Sequence, residues 1–177
     1  LDSDHPQILS ALVGAGLNLE AFTSMDGDQG CHLVQDAAKL GRSRMILAMR
    51  DMGVSGAAMM THSEHSPHAA MLAAIFNHPQ VLLALRNSDV DANAMLSECR
   101  VGSITSTCTH EAARRGHVGV VEVLHEIGAD FNRKDRSGMA PLHVAALHHQ
   151  DRVVPALCSG GADVNAANAQ GWSAVHL

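Results

Sequence analysis

Pairs of adjacent alanines recur at Ala37 and Ala38, Ala73 and Ala74, Ala112 and Ala113, and Ala145 and Ala146. Their spacings are 36, 39 and 33 residues. Four positions after the first alanine of each pair stand Gly41, Asn77, Gly116 and His149, and twelve further on stand Gly53, Asp89, Gly128 and Gly161. The segment from His5 to Leu12 (HPQILSAL) returns as His78 to Leu85 (HPQVLLAL). A step that stays fixed inside each unit while the spacing between units varies has one structural meaning. The helical parts keep their length, and insertions fall in one class of loop. Units this short cannot bury a core alone, so they fold by stacking on their neighbours.

Each unit carries helical periodicity. From Val118 to Ile127 the apolar residues Val120, Val121, Val123, Leu124 and Ile127 form one broad face, which predicts a helix buried on that side. Gly128 stops it, because glycine takes the left-handed conformation without steric cost. A shorter helix precedes it, starting near Ser106, with Ala112 and Ala113 small enough for close backbone approach. Pro6 and Pro79 fall at the start of the second helix of their units, where a missing N–H costs nothing. Pro155 lies deeper in the equivalent helix and predicts a distorted first turn.

These residues carry a family resemblance. Gly138-Met139-Ala140-Pro141-Leu142-His143-Val144-Ala145-Ala146 resembles the G-x-T-P-L-H-x-A-A opening of an ankyrin repeat. Gly161-Ala162-Asp163-Val164-Asn165-Ala166 resembles its ending, and Gly128-Ala129-Asp130-Phe131-Asn132 does so one unit earlier. Gly171 to His176 opens another unit. The resemblance implies an all-α fold: an α-solenoid of stacked helix-turn-helix ankyrin-type repeats with hairpin-like finger loops. The register divides the chain into a partial repeat 1–21, repeats 22–57, 58–94, 95–133 and 134–166, and a partial repeat 167–177. Beginning at Leu1 and ending inside a unit, the chain reads as an excerpt of a longer protein, with flanking repeats or domains expected as partners. Repeats 22–57 and 58–94 depart from the pattern: His32-Leu33-Val34-Gln35 and His68-Ala69-Ala70-Met71 replace the T-P-L-H tetrapeptide. Their loops are longer too, either as enlarged fingers that reshape a binding surface or as insertions that a solenoid tolerates at small entropic cost.

Composition narrows the function. Hydrophobic residues make up 46% of the 177, enough for a core. Net charge is -6 with only 12 Lys and Arg, which argues against binding nucleic acid phosphates. Three Phe, one Trp and no Tyr leave too few rings for a base-stacking platform. No run of 18 apolar residues occurs, so no membrane span is expected. Cys31, Cys99, Cys108 and Cys158 are scattered, as in a reduced, cytoplasmic protein.

No catalytic motif is present: there is no G-x-S-x-G, phosphate-binding loop, G-x-G-x-x-G or H-E-x-x-H. The chain reads as a non-enzyme without cofactor. Cys108 lies near His110, but it takes the proline position of the repeat and reads as a buried, inert thiol. Of the 13 histidines, His110, His143 and His176 end the T-P-L-H-like motif, where the resemblance implies a hydrogen bond tying loop to helix. His5, His78 and His117 follow the inter-helix turn, and all six are read as structural. His62, His65 and His68, spaced H-x-x-H-x-x-H around Glu64, could hold a transition metal. Pro67 interrupts any helix there, and a solvated finger without metal is the preferred reading. Met45, Met49 and Met52 are expected to pack between repeats, whereas Met59 and Met139 lie in finger regions that could touch a partner.

The resemblance also implies how the chain works: it binds a protein or peptide through its fingers and the exposed side of each first helix. The matching positions are Arg136, Ser137, Met139, Leu147 and His148 in one repeat. In the repeat before it they are Ser103, Ile104, Ser106, Arg114 and Arg115. Further back come Glu64, His65, Pro67, Ile75 and Phe76, and at the other end Ala169, Gln170 and Trp172. Arg114, Arg115 and Arg136 would give a basic spot suited to an acidic segment of the partner. Trp172 fits either an interface anchor or packing against a further repeat. The alternative function is a scaffold or targeting segment that positions a catalytic domain elsewhere in the parent chain.

Overall fold

A computed structural model describes residues 32–60, 67–101 and 104–177; the partial repeat 1–21, Cys31 and the start of repeat 22–57 lie outside the described residues. The helices come in antiparallel couples. The first couple is α1 (His32–Lys39) and α2 (Ser43–Asp51), followed by a one-turn helix α3 (Gly56–Met59). The second is α4 (Ala69–Ile75) and α5 (Pro79–Arg86), followed by a one-turn α6 (Ala92–Met95). Strands β1 (Cys99–Val101) and β2 (Ile104–Ser106) lead into α7 (Cys108–Arg115) and α8 (Val118–Ile127). The last couple is α9 (Pro141–Leu147) and α10 (Val154–Ser159), with a closing 3-10 turn at Ala174–His176. The first helices α1, α4, α7 and α9 pack side by side in chain order, and α2, α5, α8 and α10 form a second layer in the same order. This is an ankyrin-type α-solenoid.

The alanine pairs explain the tight first layer. Ala37, Ala38, Ala73, Ala74, Ala112, Ala113 and Ala145 are buried, and with only a methyl group each they let neighbouring helices close up. The larger core residues Ile46, Met49, Leu82, Leu85, Leu124 and Leu157 come from the second layer and are fully buried. Met45 and Met52 pack on this core from its edge. Pro79 sits in the first turn of α5. Around Pro155 the helix is preceded by a 3-10 turn, Asp151–Val153, the distortion expected where the ring meets the preceding turn.

The eight punctuation positions in the register share one backbone state. Gly41, Asn77, Gly116, His149, Gly53, Asp89, Gly128 and Gly161 all have φ between +54° and +92°, the left-handed turn that ends each helix. At Gly41 the requirement is doubled, because a Cβ there would lie 2.6 Å from His78 Nδ1. His149 takes the same conformation with a full side chain, at φ 55°.

The fingers take two forms. Residues 99–101 and 104–106 pair as a short antiparallel ribbon, Cys99 opposite Ser106 and Val101 opposite Ile104. At Asp135 and Asn168 the finger is a tight turn. Asp135 Oδ1 accepts the N–H groups of Ser137 and Met139, and Asn168 Oδ1 accepts those of Gln170 and Trp172. Part of the surplus length in the earlier loops is spent on α3 and α6 rather than on longer fingers. Both turns bury a methionine, Met59 and Met95, behind Val54 and Val90. Met59 is therefore core, not a finger contact. Ser55 and Asp91 cap these turns by accepting the N–H of Ala58 and of Asn93.

Two stability outcomes follow from this packing. Leu124→Ala is expected to destabilise by about 2–5 kcal/mol in urea unfolding, because a fully buried leucine leaves a cavity between couples. A loss within about 0.5 kcal/mol would mean that the face is solvated. His149→Gly is expected to raise stability by about 0.5–1 kcal/mol, since relief of the left-handed strain exceeds the entropy of glycine.

Candidate functional site

Histidines tie each couple to the next, and they fix the loops from which a surface can be built. The Nε2–H of His110 donates to the Met139 carbonyl at 3.0 Å. One repeat later the Nε2–H of His143 donates to the Trp172 carbonyl at 3.1 Å. Because a carbonyl only accepts, the proton sits on Nε2 and Nδ1 is left as an acceptor. Nδ1 of His110 then takes the hydroxyl proton of Thr107 at 2.7 Å, and Nδ1 of His143 takes the Ala140 N–H at 3.2 Å. His78 and His117 reach backward instead, Nε2–H to the Lys39 carbonyl and Nδ1–H to the Ala74 carbonyl, both at 2.9 Å. In the divergent unit the pattern shifts by one turn. His68 stands at the position of the capping threonine, and its Nδ1 accepts the Met71 N–H at 3.1 Å. His68 is fully buried and serves as a helix cap. His62, Glu64 and His65 lie outside the described residues.

These tethers leave one side of the first helices open. Phe76 ends α4 and is 49% exposed. Leu147, the last residue of α9, is 45% exposed, with His148 exposed beside it. Between them, in the last turn of α7, lie Arg114 and Arg115, which face Glu111 one turn earlier. The carboxylate is buried, its side chain 1% exposed. Arg115 Nε donates to Oε2 at 3.3 Å, and Arg114 Nε lies 3.7 Å from Oε1 without hydrogen-bond geometry. The basic spot is thus held by its own helix: one carboxylate anchors two guanidinium groups, and one positive charge is left over.

The other sequence-derived positions are spread out. Arg136 and Ser137 are exposed at the tip of a finger, and Met139 below them is half-buried. Trp172 is 52% exposed on the next finger, near the exposed Ala169 and Gln170. Ile104 belongs to β2, and Ser103 lies outside the described residues. Ser106 is buried, so it does not belong to a surface stripe; it sits at the inner end of the ribbon beside the N-cap Thr107. Pro67 and Ile75 are half-buried. A cleft of about 420 Å³ opens at the base of the ribbon, lined by Leu96, Thr107, Thr109 and Asp130, with the Glu98–Arg133 ion pair (2.9 Å) in its wall.

The thiol beside His110 is silent. Cys108 is fully buried, and burial pushes its thiol far above the usual range, with Cys99 adding to the rise. Its S–H points to the Met95 carbonyl at 3.3 Å, so the group stays protonated and is no nucleophile.

No helix among the described residues is long and apolar enough to cross a membrane. Residues 70–168 match the family model for ankyrin repeats in three copies. Mouse protein phosphatase 1 regulatory subunit 27 is 39% identical over 62 residues, 35% of this chain and 40% of that protein. The mouse B-cell lymphoma 3 protein homolog is 32% identical over 129 residues, 72% of this chain and 28% of that protein. Human neurogenic locus notch homolog protein 2 is 30% identical over 162 residues, 92% of this chain and 6% of that protein. The chain spans two fifths or less of the length of each of these relatives.

Burial gives His110 a pH signature. Desolvation lowers its pKa from the ordinary 6.5, against the opposing pull of the Met139 carbonyl and Asp135. The folded state therefore binds the proton less readily than the unfolded chain. Its contribution to stability is complete above pH 6.5 and is lost as the pH falls below that value. Melting temperature is expected to drop between pH 7.5 and 5, and the drop should be smaller in His110→Gln. An identical drop in both proteins would show that the ring is not held neutral.

Proposed function

Because the chain belongs to the ankyrin-repeat family, whose repeats are protein–protein interaction modules, we propose that it binds a partner protein or peptide through the open side of its first helices and its fingers. One observation carries this reading: Phe76, Arg115 and Leu147 stand exposed in the last turns of three successive first helices. Arginine is among the residues enriched in interface hot spots, and exposed apolar groups on either side of it can exclude water from its contacts. Arg136, Met139 and Trp172 extend the surface onto two fingers, and Glu64, His65, Ser103 and Ile104 would extend it further back along the array. The module is non-catalytic, and buried protonated thiols such as Cys108 suit a reducing, cytoplasmic setting.

A second reading has the module position an enzyme. It is favoured by the similarity to a protein named as a regulatory subunit of protein phosphatase 1. In that case the bound partner, in the same chain or another, carries the catalytic activity.

The test is capture on the immobilised chain, compared with Phe76→Glu and Leu147→Glu. Both positions are half exposed, so the variants should melt like the parent. Captured protein is expected to fall roughly tenfold or more in each variant. It should be unchanged in Glu122→Ala, an exposed position on the second helix α8. Capture that survives both glutamates would move the site elsewhere. Assay of the captured protein for an enzymatic activity separates the two readings.

A further inference from the structure

The equivalent positions one turn before the open ends of α4, α7 and α9 hold Leu72, Glu111 and Val144, all buried; in α1 the position holds Asp36, exposed and paired with Lys39 at 3.5 Å. The scaffold accepts an aliphatic side chain at this place on either side of Glu111. A carboxylate there is not required for packing, and a buried ion pair adds little net stability compared with an apolar replacement. What Glu111 does is hold two arginines. It takes up the Nε of Arg115 and sits beside the Nε of Arg114. Their terminal nitrogens make no hydrogen bond among the described residues, and those nitrogens form the fork that matches a second carboxylate. Two positive charges share one negative, so an incoming acid meets a net cation whose geometry is already fixed.

Apolar groups flank this cation on both sides along the array, Phe76 on α4 and Leu147 on α9. Adjacent packed helices lie about 8–10 Å apart. An extended chain of the polyproline II type covers that distance in three residues, at about 3.1 Å each, and with three residues per turn it brings residues i and i+3 to the same face, whereas a helix laid across the array needs about six, at roughly 1.5 Å each, and about seven to return to the same face. We propose that the occupant of this face is an extended segment of a partner protein, with an apolar side chain, an acidic one three residues on, and a second apolar one three residues beyond that. The acid sits on Arg114 and Arg115, and the apolar groups sit on Phe76 and Leu147. Leu40, 60% exposed after α1, takes a further apolar residue three positions beyond the one on Phe76. Glu111 is a positioning residue: it touches the arginines and not the ligand. This deepens the proposed function and rests on its assignment of the open face.

The probe is a fluorescein-labelled peptide with Leu-x-x-Glu-x-x-Leu in a Gly/Ser/Thr background, read by fluorescence anisotropy against the whole chain. Changing its central Glu to Gln is expected to weaken binding about tenfold. Arg115→Gln should do the same, and the two changes together should cost little more than either alone. Raising salt from about 0.05 to about 0.5 M should weaken the Glu peptide more than the Gln peptide. Glu111→Leu is expected to leave the melting temperature unchanged or raised while weakening the Glu peptide several-fold, which a purely structural role would not produce. The proposal fails if a peptide with Leu, Glu and Leu at seven-residue spacing binds more tightly, if Glu and Gln peptides bind alike, or if no peptide binds. In any of those cases, if Phe76→Glu and Leu147→Glu still abolish capture, the open face remains a binding surface and only the extended acidic occupant is wrong. If capture also survives those variants, the assignment of the face falls with it.

Discussion

A couple of short helices from this chain, six to ten residues each, exposes most of its apolar surface when taken alone. Helices that short are marginal in water by propensity, and their stability comes from packing. The two layers supply that packing only through the next couple along: α7 lies between α4 and α9, and α8 between α5 and α10. Every other feature depends on this neighbour contact. The alanine pairs set how close the first layer can come, and the left-handed turns set where each couple doubles back.

Close stacking creates a polar problem that the histidines solve. Loop carbonyls between couples are drawn away from water, and an unpaired buried carbonyl is costly. The bonds from His110 to Met139 and from His143 to Trp172 span the same 29 residues, while those from His78 and His117 run back to the preceding couple. Asn132 adds a two-way bridge, donating to the Gly161 carbonyl and accepting the Asp163 N–H. Side chains at fixed positions within each unit thus knit the loops together while leaving the ends of the first helices uncovered. The fold and the open face have the same origin.

Much of this was legible in the sequence because local rules and stacking agree. The twelve-residue step from Asn77 to Asp89 or from His149 to Gly161 marks left-handed residues even where no glycine stands, because the register carries the information. The histidine tethers and the distortion at Pro155 were legible for the same reason. The one-turn helices α3 and α6 were missed, although Val54-Ser55-Gly56-Ala57-Ala58-Met59 and Val90-Asp91-Ala92-Asn93-Ala94-Met95 repeat each other at 36 residues. Four residues are too few for helical periodicity to register, and the burial of Met59 depends on contacts distant in sequence. The pairing of Arg114 and Arg115 with Glu111 was legible from their three- and four-residue spacings. Its consequence was not, because the burial of Glu111 comes from the packing of α4, α7 and α9, which the spacing does not show.

That burial bears on what the open face can do. A flexible arginine on a solvated helix loses side-chain freedom on meeting a ligand, which offsets much of the gain from a surface ion pair. Arg115 and, to a lesser degree, Arg114 have given up part of that freedom on folding, because the buried carboxylate of Glu111, one turn earlier on the same helix, holds them. The desolvation of Glu111 is met by the stacking that builds the array. Leu72 and Val144 show that the same stacking proceeds without a charge at this position. Asp36 at the same place in α1 stays exposed and holds Lys39 only at the surface, so α7, whose carboxylate is buried, is where folding energy has been turned into a preset binding geometry.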